Sequence, residues 1–319
     1  MMSYLAKFGY DELYFNELLI KTIQTDSLLQ DDESLKEALC ELITHGGKRI
    51  RPLFLLMATD LGNHPNKKDS YLAAVAIELL HLSSLIHDDI IDNSSLRHGI
   101  STLHHRYGAR IALKLGNYTL NKSLELFAQF KDPKIHLQLA HTMKQLCLGE
   151  LRQKNDFFNF NLQVEDYIQK SLQKTGTLIS VSLVIGGLLA KLPDDKLKEL
   201  ANLGHSIGIA YQLKDDILDF TSLSSHLGKP VGNDLRQGII TLPTIFALED
   251  ELLKDDLLSL NPNDDSYIFD SLCERIKEGH YIKRCEEVCQ SYLSQTLAII
   301  NQLPTLKPKM SYLIQLLFN

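Results

Sequence analysis

Residues 71–92, YLAAVAIELLHLSSLIHDDIID, and residues 197–220, LKELANLGHSIGIAYQLKDDILDF, are apolar around most of a helical circumference, and each runs into an acidic cluster. A helix apolar on most sides belongs at the centre of its bundle. Elsewhere apolar residues recur at three- and four-residue spacing, while alternating runs bounded by turn residues are nearly absent. The expected class is all-α. The nine prolines are spread from Pro52 to Pro308 and leave room for helices between them. No Gly/Ser-rich linker separates two halves, so residues 1–319 are expected to form one domain.

The 319 residues carry 33 Lys+Arg against 40 Asp+Glu, a formal net charge of −7, which argues against a nucleic-acid binder with its clustered basic surplus. With 44% hydrophobic and 23% charged residues, a sizeable core is available and disorder is excluded. The five cysteines, Cys40, Cys147, Cys273, Cys285 and Cys289, form no CxxC pair and no disulfide framework. Cys285 and Cys289, four apart, read as buried free thiols. The segment MMSYLAKFGYDELYF lacks the apolar core of a signal peptide. Charges interrupt the longest apolar runs before 18 residues, so no membrane-spanning helix and a cytoplasmic location are expected.

Each acidic cluster is DDxxD: Asp88, Asp89 and Asp92, then Asp215, Asp216 and Asp219. Positions i and i+4 share a helix face, so Asp88 projects beside Asp92 and Asp215 beside Asp219. Like charges beside Ile90, Ile91, Ile217 and Leu218 repel unless a cation sits among them. Hard carboxylate oxygens without a thiolate or imidazole cluster suit Mg²⁺. A solvated acidic helix end is the competing reading of one such match. With 24 Asp in the chain, chance yields roughly 0.1 matches, and two matches at the ends of long apolar helices favour a metal role. Lys48, Arg49 and Arg51 in GGKRIRP, and Arg97 after the first cluster, supply the cations a diphosphate needs.

With these motifs in place, the chain resembles the trans-isoprenyl diphosphate synthases, or polyprenyl synthetases. The matching segments are GGKRIRP at 46–52, HLSSLIHDDIIDNSSLRHG at 81–99, CLGELRQ at 147–153, KTG at 174–176, YQLKDDILDF at 211–220 and LGKPVGNDLRQGIITLP at 227–243. It looks most like the catalytic subunits that make medium or long all-trans chains, including the large subunit of bacterial heptaprenyl diphosphate synthase. The resemblance implies a single large helical bundle around a central cavity, with the acidic motifs facing each other across it. It implies Mg²⁺ held by Asp88, Asp92, Asp215 and Asp219 on an allylic diphosphate, with Asp89 and Asp216 completing the motifs. Lys48, Arg51 and His81 match contacts to isopentenyl diphosphate; Arg97, Lys174 and Lys229 match contacts to the allylic diphosphate. Thr175 and Gln212 match polar groups near the carbocation. His98 stands where the family has a second arginine, and Gly116-Asn117 where it has GD; neither departure touches a metal ligand. His87 is read as structural.

The resemblance further implies a homodimer or a pairing with a smaller subunit. Short-chain members close the product tunnel with an aromatic residue four or five positions before the first Asp. Here Ser84 and Ser83 occupy those positions, and the next candidates along the face are Leu80 and Ile77, about 12 and 16 Å from Asp88 at 1.5 Å per residue. A product longer than twenty carbons is expected. The alternatives are a short-chain farnesyl or geranylgeranyl diphosphate synthase, a class I terpene cyclase, which would not need Lys48, Arg51 and His81, and a regulatory subunit, which would not need both acidic motifs.

Overall fold

The computed structural model describes residues 3–26, 32–45, 47–63, 66–97, 99–222 and 231–318. His98 and Lys229 lie outside them. The described residues are helical almost throughout, with one two-residue hairpin, Leu96–Arg97 against Ile100–Ser101, and an isolated bridge between Phe157 and Ile239. The all-α expectation holds. The chain divides into two compact units, one of residues 1–139 and 182–200, the other of residues 140–181 and 201–319.

In the first unit the Lys67–Ile91 helix is the core element, with Ala73 to Leu80 buried without a break. Its start is capped by Asn66, whose side chain accepts the Asp69 N–H. The Ile50–Thr59 helix is buried from Pro52 to Thr59. Small residues let the Ala109–Phe127 helix approach closely: Ser83 Oγ donates to the Gly116 carbonyl at 2.9 Å, and Ser123 Oγ to the Ala76 carbonyl at 2.7 Å. The pairs 83 with 116 and 76 with 123 define one antiparallel seam.

In the second unit the Val164–Ser171 helix passes through a π-helical turn, Leu172–Gly176, into the first residues, 177–181, of the Thr177–Leu189 helix. Residues 201–221 of the Asp194–Thr221 helix lie against this segment, and glycine makes the approach possible. A Cβ on Gly208 would come within 2.3 Å of Gly176 Cα, and one on Gly204 within 2.3 Å of Ser180 Cα. Around them Leu213, Phe220, Leu235, Leu242, Phe269, Leu272, Ile276 and Cys285 form the core. Cys285 and Cys289 are buried free thiols, as expected, and Cys273 is buried as well.

The expectation about apolar runs needs correction. Residues 67–91 and 164–189 are each long and apolar enough to cross a membrane, because the helices continue past the charges that interrupt the runs. Most of each apolar stretch is buried inside the fold, which is where core helices place such surface.

Candidate active site

The first acidic motif sits where the Lys67–Ile91 helix ends. Asp92 N donates to the Asp88 carbonyl at 2.8 Å, Asn93 takes a left-handed conformation at φ 50°, and Ser94 N returns to the Asp89 carbonyl at 2.9 Å. Such a left-handed stop closes the last helical turn. The chain then enters the hairpin, whose turn at Gly99 has φ 83°, and this reversal brings Arg97 back onto the motif. Arg97 Nε and Nη2 reach Asp89 Oδ1 at 2.9 and 2.8 Å. The middle carboxylate is therefore buried and neutralised by Arg97, while Asp88 is half-buried and Asp92 exposed. Arg97, expected at a diphosphate, is engaged with Asp89 in this structure.

Upstream on the same helix, Arg51 Nη1 lies 2.9 Å from His81 Nε2. An arginine only donates, so Nε2 accepts and the ring proton sits on Nδ1. One turn before His81, Glu78 forms a buried ion pair with Arg49, which also donates to the Ile43 carbonyl. Arg49 is left-handed at φ 55° and precedes the first residue of the Ile50–Thr59 helix. Of the three cations in GGKRIRP, Arg49 is thus consumed in fixing the loop, which leaves Lys48 and Arg51 as the substrate candidates. Lys48 Nζ lies 5.8 Å from the centre of the Tyr4 ring. The first unit brings Arg51 and His81 together, and Arg97 with Asp89.

His87 takes the structural role expected of it. Its Nδ1 bonds the Ser83 carbonyl at 2.7 Å and its Nε2 meets Asn117 Oδ1 at 3.1 Å. A Cβ at Gly116 would lie 2.8 Å from this ring. Ser83, a candidate for chain-length control, is 2% exposed and bonded into the Gly116 seam. Ser84 is half-buried and donates to the His81 carbonyl. Leu80 and Ile77 are buried further up the helix.

The second motif is built differently. Asp216 is buried, with Oδ2 accepting from Tyr167 Oη at 2.7 Å and Oδ1 from Gln212 Nε2 at 2.8 Å. Gln212 Oε1 in turn accepts from Thr175 Oγ1 at 2.7 Å. Burial, then the charges of Asp234 and Asp215, push the Asp216 carboxyl up to about 8. Asp215 is exposed, and Asp219 Oδ2 accepts the Asp234 N–H at 3.1 Å. The Asp219 carbonyl accepts from Gly232 N at 2.9 Å, so the short Asn233–Arg236 helix is tied to the motif.

Lys174 and Thr175 lie in the π-helical turn, an irregularity that re-aims side chains and recurs at functional sites. Lys174 Nζ donates to Gln153 Oε1 at 2.8 Å and lies 3.7 Å from Glu150. The CLGELRQ segment thereby acquires a purpose, holding this lysine. Sequence reasoning missed Tyr167, Gln153, Glu150 and Glu78. For Glu78 there was a usable signal, a carboxylate in the middle of an otherwise apolar stretch. Tyr167 lies 49 residues from Asp216, and spacing alone carries no trace of that contact.

The donor set of both motifs is carboxylate oxygen. Among the described residues no three His, Cys, Asp or Glu side chains gather closely enough to enclose an ion on protein ligands alone. Mg²⁺ takes one or two carboxylates and fills its shell with water and substrate phosphate. Asp88 with Asp92, and Asp215 with Asp219, fit that ion.

Comparison with known proteins agrees with this chemistry. The family model for polyprenyl synthetase matches residues 32–268. Heptaprenyl diphosphate synthase component 2 of Geobacillus stearothermophilus is 38% identical over 270 residues, 85% of this chain and 84% of that protein. Among solved structures, heptaprenyl diphosphate synthase from Staphylococcus aureus superposes with a TM-score of 0.90 at 32% identity, over 96% of both chains. A polyprenyl synthase from Caulobacter crescentus CB15, complexed with calcium and isoprenyl diphosphate, gives a TM-score of 0.85 at 25% identity, covering 95% of this chain and 94% of that one.

Proposed function

Because the chain belongs to the polyprenyl synthetase family, we propose that it condenses isopentenyl diphosphate with an allylic prenyl diphosphate to make a medium- or long-chain all-trans product. The observation that carries this reading is the pair of DDxxD motifs, each near the end of a long apolar helix. Mg²⁺, when bound, supplies the positive charge that draws off pyrophosphate. Asp88 and Asp92 would hold an ion on the first motif, and Asp215 and Asp219 would hold one on the second. Asp89 keeps Arg97 in place beside the first motif. Lys48, Arg51 and His81 bind isopentenyl diphosphate, with Arg51 oriented by the His81 ring.

In the second unit Lys174 meets the allylic diphosphate, assisted by Lys229. The Thr175–Gln212 pair presents polar oxygen to the carbocation. Carbon–carbon bond formation then follows from attack by the isopentenyl double bond, and loss of one proton completes the five-carbon extension. His98 serves the isopentenyl diphosphate side. Relatives named as a second component support pairing with a smaller partner subunit, and a homodimer is the alternative assembly. A cytoplasmic location fits the free thiols.

The test is pyrophosphate release from farnesyl diphosphate, measured with the purified chain alone and with cell extract supplying a partner. Release that requires isopentenyl diphosphate is expected. Release without it indicates a cyclase, and no release in either preparation overturns the catalytic reading.

A further inference from the structure

Lys170 is a buried cation that the proposed chemistry leaves unused. It lies on the Val164–Ser171 helix, three residues after Tyr167 and four before Lys174, and is 7% exposed. Its Nζ donates to the Ile240 carbonyl at 3.1 Å and lies 6.0 Å from the centre of the Tyr167 ring. The other two N–H groups of the ammonium have no acceptor among the described residues. One carbonyl is poor compensation for a buried ammonium, whose removal from water costs several kcal/mol. A methionine would fill the same volume without that cost.

The surroundings explain what the charge faces. Residues 167 and 170 share one helical face, and Lys174 follows in the π-helical turn, near enough for its charge to act on Lys170. At one end of that face Tyr167 donates to Asp216, the middle carboxylate of the second motif. At the other end Lys174 is held by Gln153 and Glu150. Ile240 follows the short Asn233–Arg236 helix, which is itself tied to Asp219 through the Asp234 N–H. Burial lowers the Lys170 ammonium below the ordinary lysine value, against the opposing pull of Asp216, Asp156 and Asp234. The cation is thus set near Asp216 of the second motif and near Asp156 and Asp234, with hydrogen-bonding capacity left over.

We propose that Lys170 is a further diphosphate-holding residue of the second acidic motif, offering its two remaining N–H groups to pyrophosphoryl oxygens. The inference rests on the prenyltransferase reading above. It makes Lys170 and Lys174, four residues apart in the chain, two lysines for the departing pyrophosphate. The competing role is a tether that only satisfies the Ile240 carbonyl.

Lys170→Gln separates the two, because it keeps a donor for Ile240 and removes the charge, while Lys170→Arg keeps both. Binding of inorganic pyrophosphate with Mg²⁺ is measured by calorimetry on the whole chain, alongside the KM of each substrate. The expected result is pyrophosphate affinity about tenfold weaker in Lys170→Gln and within about threefold of wild type in Lys170→Arg. The allylic KM should rise in parallel and the isopentenyl diphosphate KM should stay unchanged. If Lys170→Gln fails to fold by circular dichroism, Lys170→Met takes its place with the same expectation. A neutral variant that binds pyrophosphate as tightly as wild type, or one that raises both KM values equally, overturns the proposal. Wild-type chain that binds pyrophosphate through Lys170 without condensing isopentenyl diphosphate refutes the functional reading and leaves Lys170 standing. Wild-type chain that fails to bind pyrophosphate refutes both.

Discussion

The two acidic motifs share the letters DDxxD and a position near the end of a long apolar helix, yet their middle carboxylates live in opposite environments. Asp89 is neutralised by a guanidinium that a tight hairpin delivers from eight residues downstream. Asp216 is satisfied by neutral donors, the Tyr167 hydroxyl and the Gln212 amide, and its carboxyl is pushed up to about 8. The difference teaches that the outer and middle positions of the motif do separate jobs. Each middle carboxylate organises whatever local structure it has, an arginine in one unit and a polar chain running to Thr175 in the other, while the outer carboxylates are the ones proposed to hold cations.

The largest expected effect lies at the outer positions. Asp88→Asn and Asp215→Asn should each cut turnover by orders of magnitude while circular dichroism stays helical, since each removes a carboxylate proposed to hold the metal. A variant retaining more than about a tenth of wild-type turnover would break the division of labour.

At the middle positions the effects should be unequal. Arg97→Ala strands Asp89, 4% exposed, without its counter-charge, and is expected to cost about 3 kcal/mol in denaturant unfolding. Tyr167→Phe removes one of two neutral donors from Asp216 and is expected to cost about 1 kcal/mol. Equal losses would mean that the two environments are energetically alike.

Much of this was legible in the chain before any coordinates. The apolar circumference of residues 71–92 and 197–220 announces central helices, and the i, i+4 spacing of Asp88 with Asp92 puts two carboxylates on one face. What spacing does not carry is the partner of a buried charge. Nothing near Asp216 in the chain points to Tyr167, because that contact depends on Gly204 and Gly208 letting two helices touch. Arg49 reads as a third phosphate cation until its left-handed backbone and the buried Glu78 show it spent on the loop. Ser83 and Ser84 read alike as small residues, but only Ser83 is bonded across to Gly116.

That last contrast is itself testable. Ser83→Phe should lower the melting temperature, because an aromatic ring there meets the Gly116 carbonyl and forces the seam apart, at about 1–3 kcal/mol. Ser84→Phe should leave the fold intact and shorten the product by one or two five-carbon units, read by mass spectrometry. A shortened product from a fully stable Ser83→Phe would place the tunnel on the seam instead.

A smaller effect is expected in the pH dependence of stability. The Asp216 carboxyl has a folded value above that of an unfolded carboxylate, so the native state holds its proton more tightly. The stabilisation this supplies is complete below about pH 4 and is lost as the pH rises through about 8. Between pH 6 and pH 9 the wild-type melting temperature should therefore fall more than that of Asp216→Asn. Parallel curves for the two proteins would assign Asp216 an ordinary carboxylate value.

The central claim, metal-dependent chain elongation, meets its most direct test in the mass spectrum of products formed from farnesyl diphosphate and isopentenyl diphosphate with any partner subunit present. In Mg²⁺ the account predicts polyprenyl diphosphates longer than twenty carbons, and in excess chelator none. Full turnover in chelator, or a series that stops at or below twenty carbons in Mg²⁺, would contradict it.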